Sequence, residues 1–142
     1  MTAFVRRATP ADLPAILEIE REAFPQRPWT SEDFEADDCL VAEADGRIVG
    51  FLVSRQTFPP ALGGRAEREI LNVAVRREYR RRGIATALLN QELSHQAIYF
   101  LEVRASNVAA QELYRKMGFM EVGRRPEYYE FPVETAIVMQ MK

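Results

Sequence analysis

The chain has 142 residues, 47% of them apolar and 28% charged, with a formal net charge of −2. That is the length of one domain able to bury a core without covalent staples, and its faintly acidic balance argues against a general nucleic-acid binder. Cys39 and His95 are each the only residue of their kind, which excludes an intrachain disulfide and the common zinc sites; no metal is expected.

The first residues, Met1-Thr2-Ala3-Phe4-Val5-Arg6-Arg7, lack the apolar run of an export leader, and nothing approaches the length of a membrane span. The expectation is a cytoplasmic protein with neither a membrane nor a direct nucleic-acid partner. Phe4 to Ala8 reads as a strand. Thr9, Pro10 and Asp12 then supply an N-cap, a first-turn proline and a capping-box acid. Leu13, Ile16, Leu17, Ile19, Ala23 and Phe24 recur at helical spacing, with Glu18, Glu20, Arg21 and Glu22 mostly off that face, so an amphipathic helix runs to about Pro25.

Pro25-Gln26-Arg27-Pro28-Trp29 is a turn-rich link, and Thr30 or Ser31 caps a short second helix through Phe34. Trp29 has two readings: a staple packing this link onto the core, or a wall of a substrate groove. Leu40 to Ala44 and Arg47 to Ser54 flank Asp45-Gly46, a hairpin signal. Cys39 reads as a small buried hydrophobe at its edge. Pro59-Pro60-Ala61-Leu62-Gly63-Gly64 is an exposed loop.

Glu67 to Val75 is the next strand, and it ends in a burst of arginines: Arg76, Arg77, Arg80, Arg81 and Arg82. A helix follows from Gly83 to about His95. A strand entering a helix through a glycine leaves the first helical N–H groups without partners, at the positive end of the peptide dipoles. Such a junction is a ready anion site, and the arginines add charge at its rim. A solvated surface turn is the competing reading of the same run. The strand before the run and the small residues after it favour a diphosphate.

The loop Arg80-Arg81-Arg82-Gly83-Ile84-Ala85 resembles the acetyl-CoA signature of the GNAT superfamily of N-acetyltransferases, Arg/Gln-x-x-Gly-x-Gly/Ala. It is neither the phosphate loop of a nucleoside triphosphatase nor the dinucleotide fingerprint.

Ile98 to Arg104 reads as a central strand, Asn107 as the N-cap of a helix to Met117, and Gly118 as its terminator. Phe119 to Arg124 and Thr135 to Met141 are the last strands, around an expected loop from Arg125 to Pro132. Glu102 interrupts an apolar strand, on the face opposite Leu101 and Val103, where a carboxylate needs a partner or a purpose. Tyr114 lies two turns into the next helix. A carboxylate base and a phenol acid could deprotonate an ammonium and reprotonate a thiolate, the chemistry of acetyl transfer from a thioester. The plainer readings are an ion pair of Glu102 with Arg104 or another arginine, and a packing role for Tyr114. Glu69 competes as the base.

Leu101-Glu102-Val103-Arg104-Ala105-Ser106-Asn107, with Leu113-Tyr114 and Gly118-Phe119, is similar to the ribosomal-protein-alanine N-acetyltransferase group of that superfamily. Ile19-Glu20, Pro28-Trp29, Tyr128-Tyr129 and Ala136 to Met139 extend the resemblance over nearly the whole chain. It implies Glu102 as general base and Tyr114 as general acid. It implies Val73, Ala74, Val75, Arg81, Arg82, Gly83, Ile84, Ala85, Thr86 and Asn107 as acetyl-CoA contacts. Trp29, Tyr128 and Tyr129 would lie beside an acceptor peptide, the N-terminus of a protein such as a ribosomal protein. The helix after Gly83 departs from the group by being about one turn shorter.

The expected fold is one α/β domain over residues 1–142, a mixed, mostly antiparallel sheet flanked by helices in the order β-α-α-β-β-β-α-β-α-β-β. The alternatives in function are an acetyltransferase of a small amine or lysine side chain, and a non-catalytic CoA sensor.

Overall fold

The structure is a computed structural model that describes residues 3–26, 28–35, 37–58 and 64–142. Arg27 of the turn-rich link and Pro59 to Gly63 of the expected loop lie outside the described residues. The elements are β1 (Phe4–Arg7), α1 (Leu13–Ala23), α2 (Ser31–Glu35), β2 (Asp38–Ala44), β3 (Arg47–Phe58), β4 (Ala66–Val75), α3 (Ile84–Glu92), β5 (Ala97–Arg104), α4 (Val108–Met117), β6 (Met120–Tyr129) and β7 (Glu134–Met141). Two 3-10 turns, Pro10–Asp12 and Arg77–Tyr79, precede α1 and α3. Seven strands form one sheet in the order β1-β2-β3-β4-β5-β7-β6. β4 and β5 run parallel, whereas β1 with β2, β2 with β3, β5 with β7 and β6 with β7 are antiparallel. The fold is α/β, with a mixed sheet and four helices.

The chain forms two compact units, Met1–Arg55 with Asn72–His95, and Gln56–Leu71 with Gln96–Lys142. In the first, Ile16 and Ile19 of α1, Val41 of β2, Val49 to Val53 of β3, and Leu88 and Leu89 of α3 are buried. Asp12 starts α1 as expected, accepting from Thr9 N at 2.7 Å and from Thr9 Oγ1 at 3.1 Å. Arg6 adds a two-pronged contact at 2.8 and 2.9 Å, which holds the Asp12 carboxyl down at about 2. Thr30 is the cap of α2, its N–H donating to Asp33 Oδ2 at 2.7 Å. The expected hairpin turn is present, with Asp45 and Gly46 at φ 54 and 75. Cys39 lies half-buried in β2, and burial pushes its thiol up to about 12.

Three expectations are corrected, two boundaries and one buried side chain. α3 stops at Glu92 rather than near His95: Ser94 Oγ donates to Gln91 O at 2.7 Å and takes a carbonyl from the ladder. Glu20 is 1% exposed, not on the outer side of α1, because its carboxylate accepts from Trp29 N at 2.8 Å and Asn72 Nδ2 at 2.7 Å. β6 continues through Arg125 to Tyr129, where a loop was expected.

In the second unit β5 alternates cleanly, with Ala97, Tyr99, Leu101 and Val103 buried and Ile98, Phe100, Glu102 and Arg104 half-buried. Phe119, Ile137 and Met139 complete its core. The β4–β5 ladder runs from Ala66 opposite Ala97 to Ile70 opposite Leu101.

Candidate active site

The first unit carries the strand, loop and helix read as an anion site. Val73 is half-buried, and Ala74 and Val75 are buried, at the end of β4. Arg76 then turns inward, 5% exposed, with its N–H on Val49 O at 2.7 Å, Nε on Ile48 O at 2.8 Å and Nη1 on Glu18 at 2.5 Å. It fixes the strand end; it is not part of a solvated charge run. Arg80 donates from Nε to Val75 O at 3.0 Å. Tyr79 anchors the 3-10 turn by donating to Asp45 Oδ2 at 2.9 Å, which raises its pKa, and Arg82 lies 5.3 Å above its ring.

Arg81 and Gly83 have φ of 63 and 77, both left-handed. Gly83 occupies the N-cap of α3, and neither a side-chain cap nor a first-turn acid is present. The first N–H groups of the helix are therefore open to an outside anion, with Arg81, Arg82 and Gly83 exposed around them. A diphosphate fits this donor set better than a cation or an apolar group. Ile84 is buried and anchors the turn, while Ala85 and Thr86 are half-buried.

Trp29 belongs to the same unit. Its ring lies 5.1 Å from Phe34, which lies 5.4 Å from Phe51 of β3, and its N–H is held by Glu20. This aromatic chain makes Trp29 a staple for the link, one of the two sequence readings.

The second unit carries the carboxylate and the phenols. Glu102 keeps 16% of its side chain exposed, and its Oε2 is buried without a hydrogen bond among the described residues. Its cation is Arg125, with Nε at 3.5 Å from Oε2, too loosely aligned for a hydrogen bond. Of the sequence alternatives, a pair with Arg104 or with another arginine, the second holds and Arg104 is not the partner. Arg104 instead donates to Glu134 Oε1 at 3.1 Å, Pro132 O at 3.0 Å and Glu130 O at 2.9 Å, beneath the Tyr129 ring at 4.5 Å. Glu134 in turn accepts from Ser106 N at 2.6 Å. This network clamps the turn between β6 and β7 that follows Tyr128 and Tyr129.

Asn107 caps α4, its Oδ1 accepting from Ala110 N at 3.2 Å, and Gln111 Nε2 donates to Arg104 O and Ala105 O at 3.1 and 2.9 Å. Tyr114 lies on α4 with its ring 5.9 Å from Phe119, and burial pushes its hydroxyl up to about 12. Tyr128 and Tyr129 meet edge to face at 5.1 Å. Burial raises both their pKa values, and the charge of Glu102 raises them further. Tyr129 also senses Tyr114, and Tyr128 senses Glu69. Glu102, Tyr114, Tyr128 and Tyr129 thus share one electrostatic neighbourhood, with Glu69 acting on it too. The sequence reading missed Arg125, Glu134 and Gln111 here; Arg125 sat in an expected loop, which gave no signal for a site beside Glu102.

The architecture is that of an acyltransferase. The chain belongs to the acetyltransferase (GNAT) family, which residues 9–119 match. It is 34% identical to an N-alpha-acetyltransferase of Sulfurisphaera tokodaii, over 88% of this chain and 84% of that protein. It superposes on the crystal structure of the ribosomal-protein-S18-alanine N-acetyltransferase of Escherichia coli with a TM-score of 0.82 at 31% identity, covering 99% of this chain and 93% of that one. Arabidopsis thaliana NAA60 in complex with acetyl-CoA matches with a TM-score of 0.84 at 25% identity, over 98% of each chain. Acetyl-CoA is the acyl donor of GNAT acetyltransferases. No described helix is long and apolar enough to cross a membrane.

Proposed function

We propose that residues 1–142 act as one acetyltransferase domain, resident in the cytoplasm, that acetylates the α-amine of a protein N-terminus, with a ribosomal protein as the acceptor. The observation that carries this reading is the Glu102 carboxylate: its side chain is 16% exposed, one of its oxygens is buried without a hydrogen bond among the described residues, and its charge acts on Tyr128 and Tyr129. Relatives named for N-terminal acetylation support the acceptor class, and those named for a ribosomal protein support the particular acceptor.

Acetyl-CoA, when bound, supplies the acetyl group as a thioester. The open N–H groups at Gly83, Ile84, Ala85 and Thr86, with Arg81 and Arg82, would hold its diphosphate; Val73, Ala74 and Val75 and the capping Asn107 would supply further contacts. An N–H of the β4 end would donate a hydrogen bond to the carbonyl oxygen as negative charge develops on it. Glu102 takes a proton from the acceptor ammonium, directly or through water, so that the nitrogen lone pair can attack the acyl carbon. Tyr114 gives its proton to the departing sulfur. The surplus proton left on the nitrogen after attack passes through solvent and restores the phenol, and Glu102 releases its own proton to bulk water. With its hydroxyl pushed up to about 12, Tyr114 stays protonated throughout the neutral range. Trp29, Tyr128 and Tyr129 would line the acceptor's path, the two tyrosines with their rings and Trp29 through the link it staples.

Glu69 is a second candidate base, since its charge reaches Tyr128. Glu102→Gln and Glu69→Gln separate the two. The expected result is a loss of about 10²–10⁴ in kcat for Glu102→Gln, with acetyl-CoA affinity unchanged, and a small effect for Glu69→Gln. The reverse order would move the role to Glu69. Mass analysis of a peptide panel tests the acceptor: modification is expected at free N-termini and not at lysine side chains or polyamines.

A further inference from the structure

Two arginines of the second unit lie over the tyrosines, Arg104 over Tyr129 and Arg125 over Tyr128, and Arg104, like Arg124 next to Arg125 in β6, has a carboxylate of its own. Arg104 pairs with Glu134 at 3.1 Å, and Arg124 with Glu121 at 3.0 Å. Arg125 has Glu102. Its Nε stands 3.5 Å from Glu102 Oε2 without hydrogen-bond alignment, its side chain is 60% exposed, and its guanidinium lies 5.5 Å above the Tyr128 ring. The ladder between β6 and β7 shifts register between Arg125 and Tyr129, and Glu127 in that stretch has φ of 54. A bulge of this kind re-aims the side chains on either side of it.

The acceptor amine arrives as a cation and requires the same carboxylate oxygen. Glu102 cannot neutralise Arg125 and an ammonium together, and Glu69, the other carboxylate acting on Tyr128, has contacts of its own. The loose geometry and exposure of Arg125 leave it free to move aside along the Tyr128 face it already covers. Once displaced, a guanidinium a few ångströms from an ammonium is repelled unless a new anion meets it. We propose that Arg125 is a displaceable counter-ion of Glu102 that selects acceptors carrying an Asp or Glu directly behind the amine, in the second or third residue. At roughly 3.5 Å of chain per residue those side chains fall within an arginine's reach. The fork of two N–H groups suits a carboxylate.

The inference rests on the N-terminal reading above, and the two can fail separately. The experiment measures kcat and KM for peptides identical except at residue two, which is Asp, Asn or Arg, using the native protein, Arg125→Ala and Arg125→Glu. The native enzyme should prefer Asp over Asn by about fivefold, carried in KM, the scale of one partly exposed ion pair. Arg125→Ala should bring the ratio near one, and Arg125→Glu should invert the order to favour Arg. No charge preference in the native enzyme, or the native order kept in Arg125→Glu, overturns the inference while leaving N-terminal acetylation standing. Turnover of spermidine with none of the peptides used overturns both.

Discussion

At the scale of single residues, Glu102 was legible because a carboxylate inside an apolar strand is costly unless used, and alternation gave its face. Which arginine would meet it was not legible. Arg104 shares that face two residues on, yet it reaches the turn between β6 and β7, where Glu130 O, Pro132 O and Glu134 converge. A strand pattern fixes direction and says nothing of which distant segment arrives opposite. Arg104→Ala should therefore loosen that turn and raise the peptide KM several-fold, with the acetyl-CoA KM unchanged; equal changes in both would argue for a general loss of fold. Tyr114→Phe should lower kcat by about 10²–10⁴ at every pH from 6 to 10, because a phenol at about 12 has no titration in that range. A loss confined to the alkaline side would remove Tyr114 from the role of acid.

At the scale of elements, the helix starts, the hairpin and the strand–arginine–helix junction were written in local chemistry. The misread element was β6. Pro126 and the polar run around it signal a loop, but β6 is the sheet's edge strand, where a proline costs no ladder bond, and the shifted register absorbs it. Glu20 was misread for a related reason: its burial depends on Trp29 and Asn72, which no helical period reveals. Asp12 at the start of α1 yields a stability prediction. Its carboxyl is held at about 2, below its unfolded value near 4, so its contribution is complete above pH 4 and is lost as pH falls towards 2. Asp12→Asn should cost about 1 kcal/mol at pH 7 in denaturant unfolding and flatten the acid limb; an unaltered acid limb would show that the pair with Arg6 does not set it. Gly50 gives a second. A Cβ there would meet Ala74 O at 3.1 Å and Ile84 Cγ2 at 3.2 Å, so Gly50→Val should destabilise by about 1–3 kcal/mol and raise the acetyl-CoA KM more than the peptide KM.

At the scale of the whole molecule, the order of elements followed from periodicity, capping and turn residues. The insertion of β7 between β5 and β6 did not, because non-local pairing leaves no mark in a local window. The family was legible from Arg80 to Ala85 and from Leu101 to Asn107, since an anion-binding helix start and a carboxylate in a strand each demand particular residues. Acetyl-CoA at about a hundred times its Kd should stabilise the chain by about 2.7 kcal/mol in denaturant unfolding.

The central claim is that Glu102 deprotonates an N-terminal amine. It is tested most directly by the initial rate of CoA thiol release with two peptides, one with a free N-terminal alanine and no lysine, the other N-terminally blocked with one free lysine, for the native protein and Glu102→Gln. The account predicts release with the first peptide alone and its loss by about 10² or more in the variant. Equal rates with the blocked peptide, or an undiminished rate in Glu102→Gln, would contradict it.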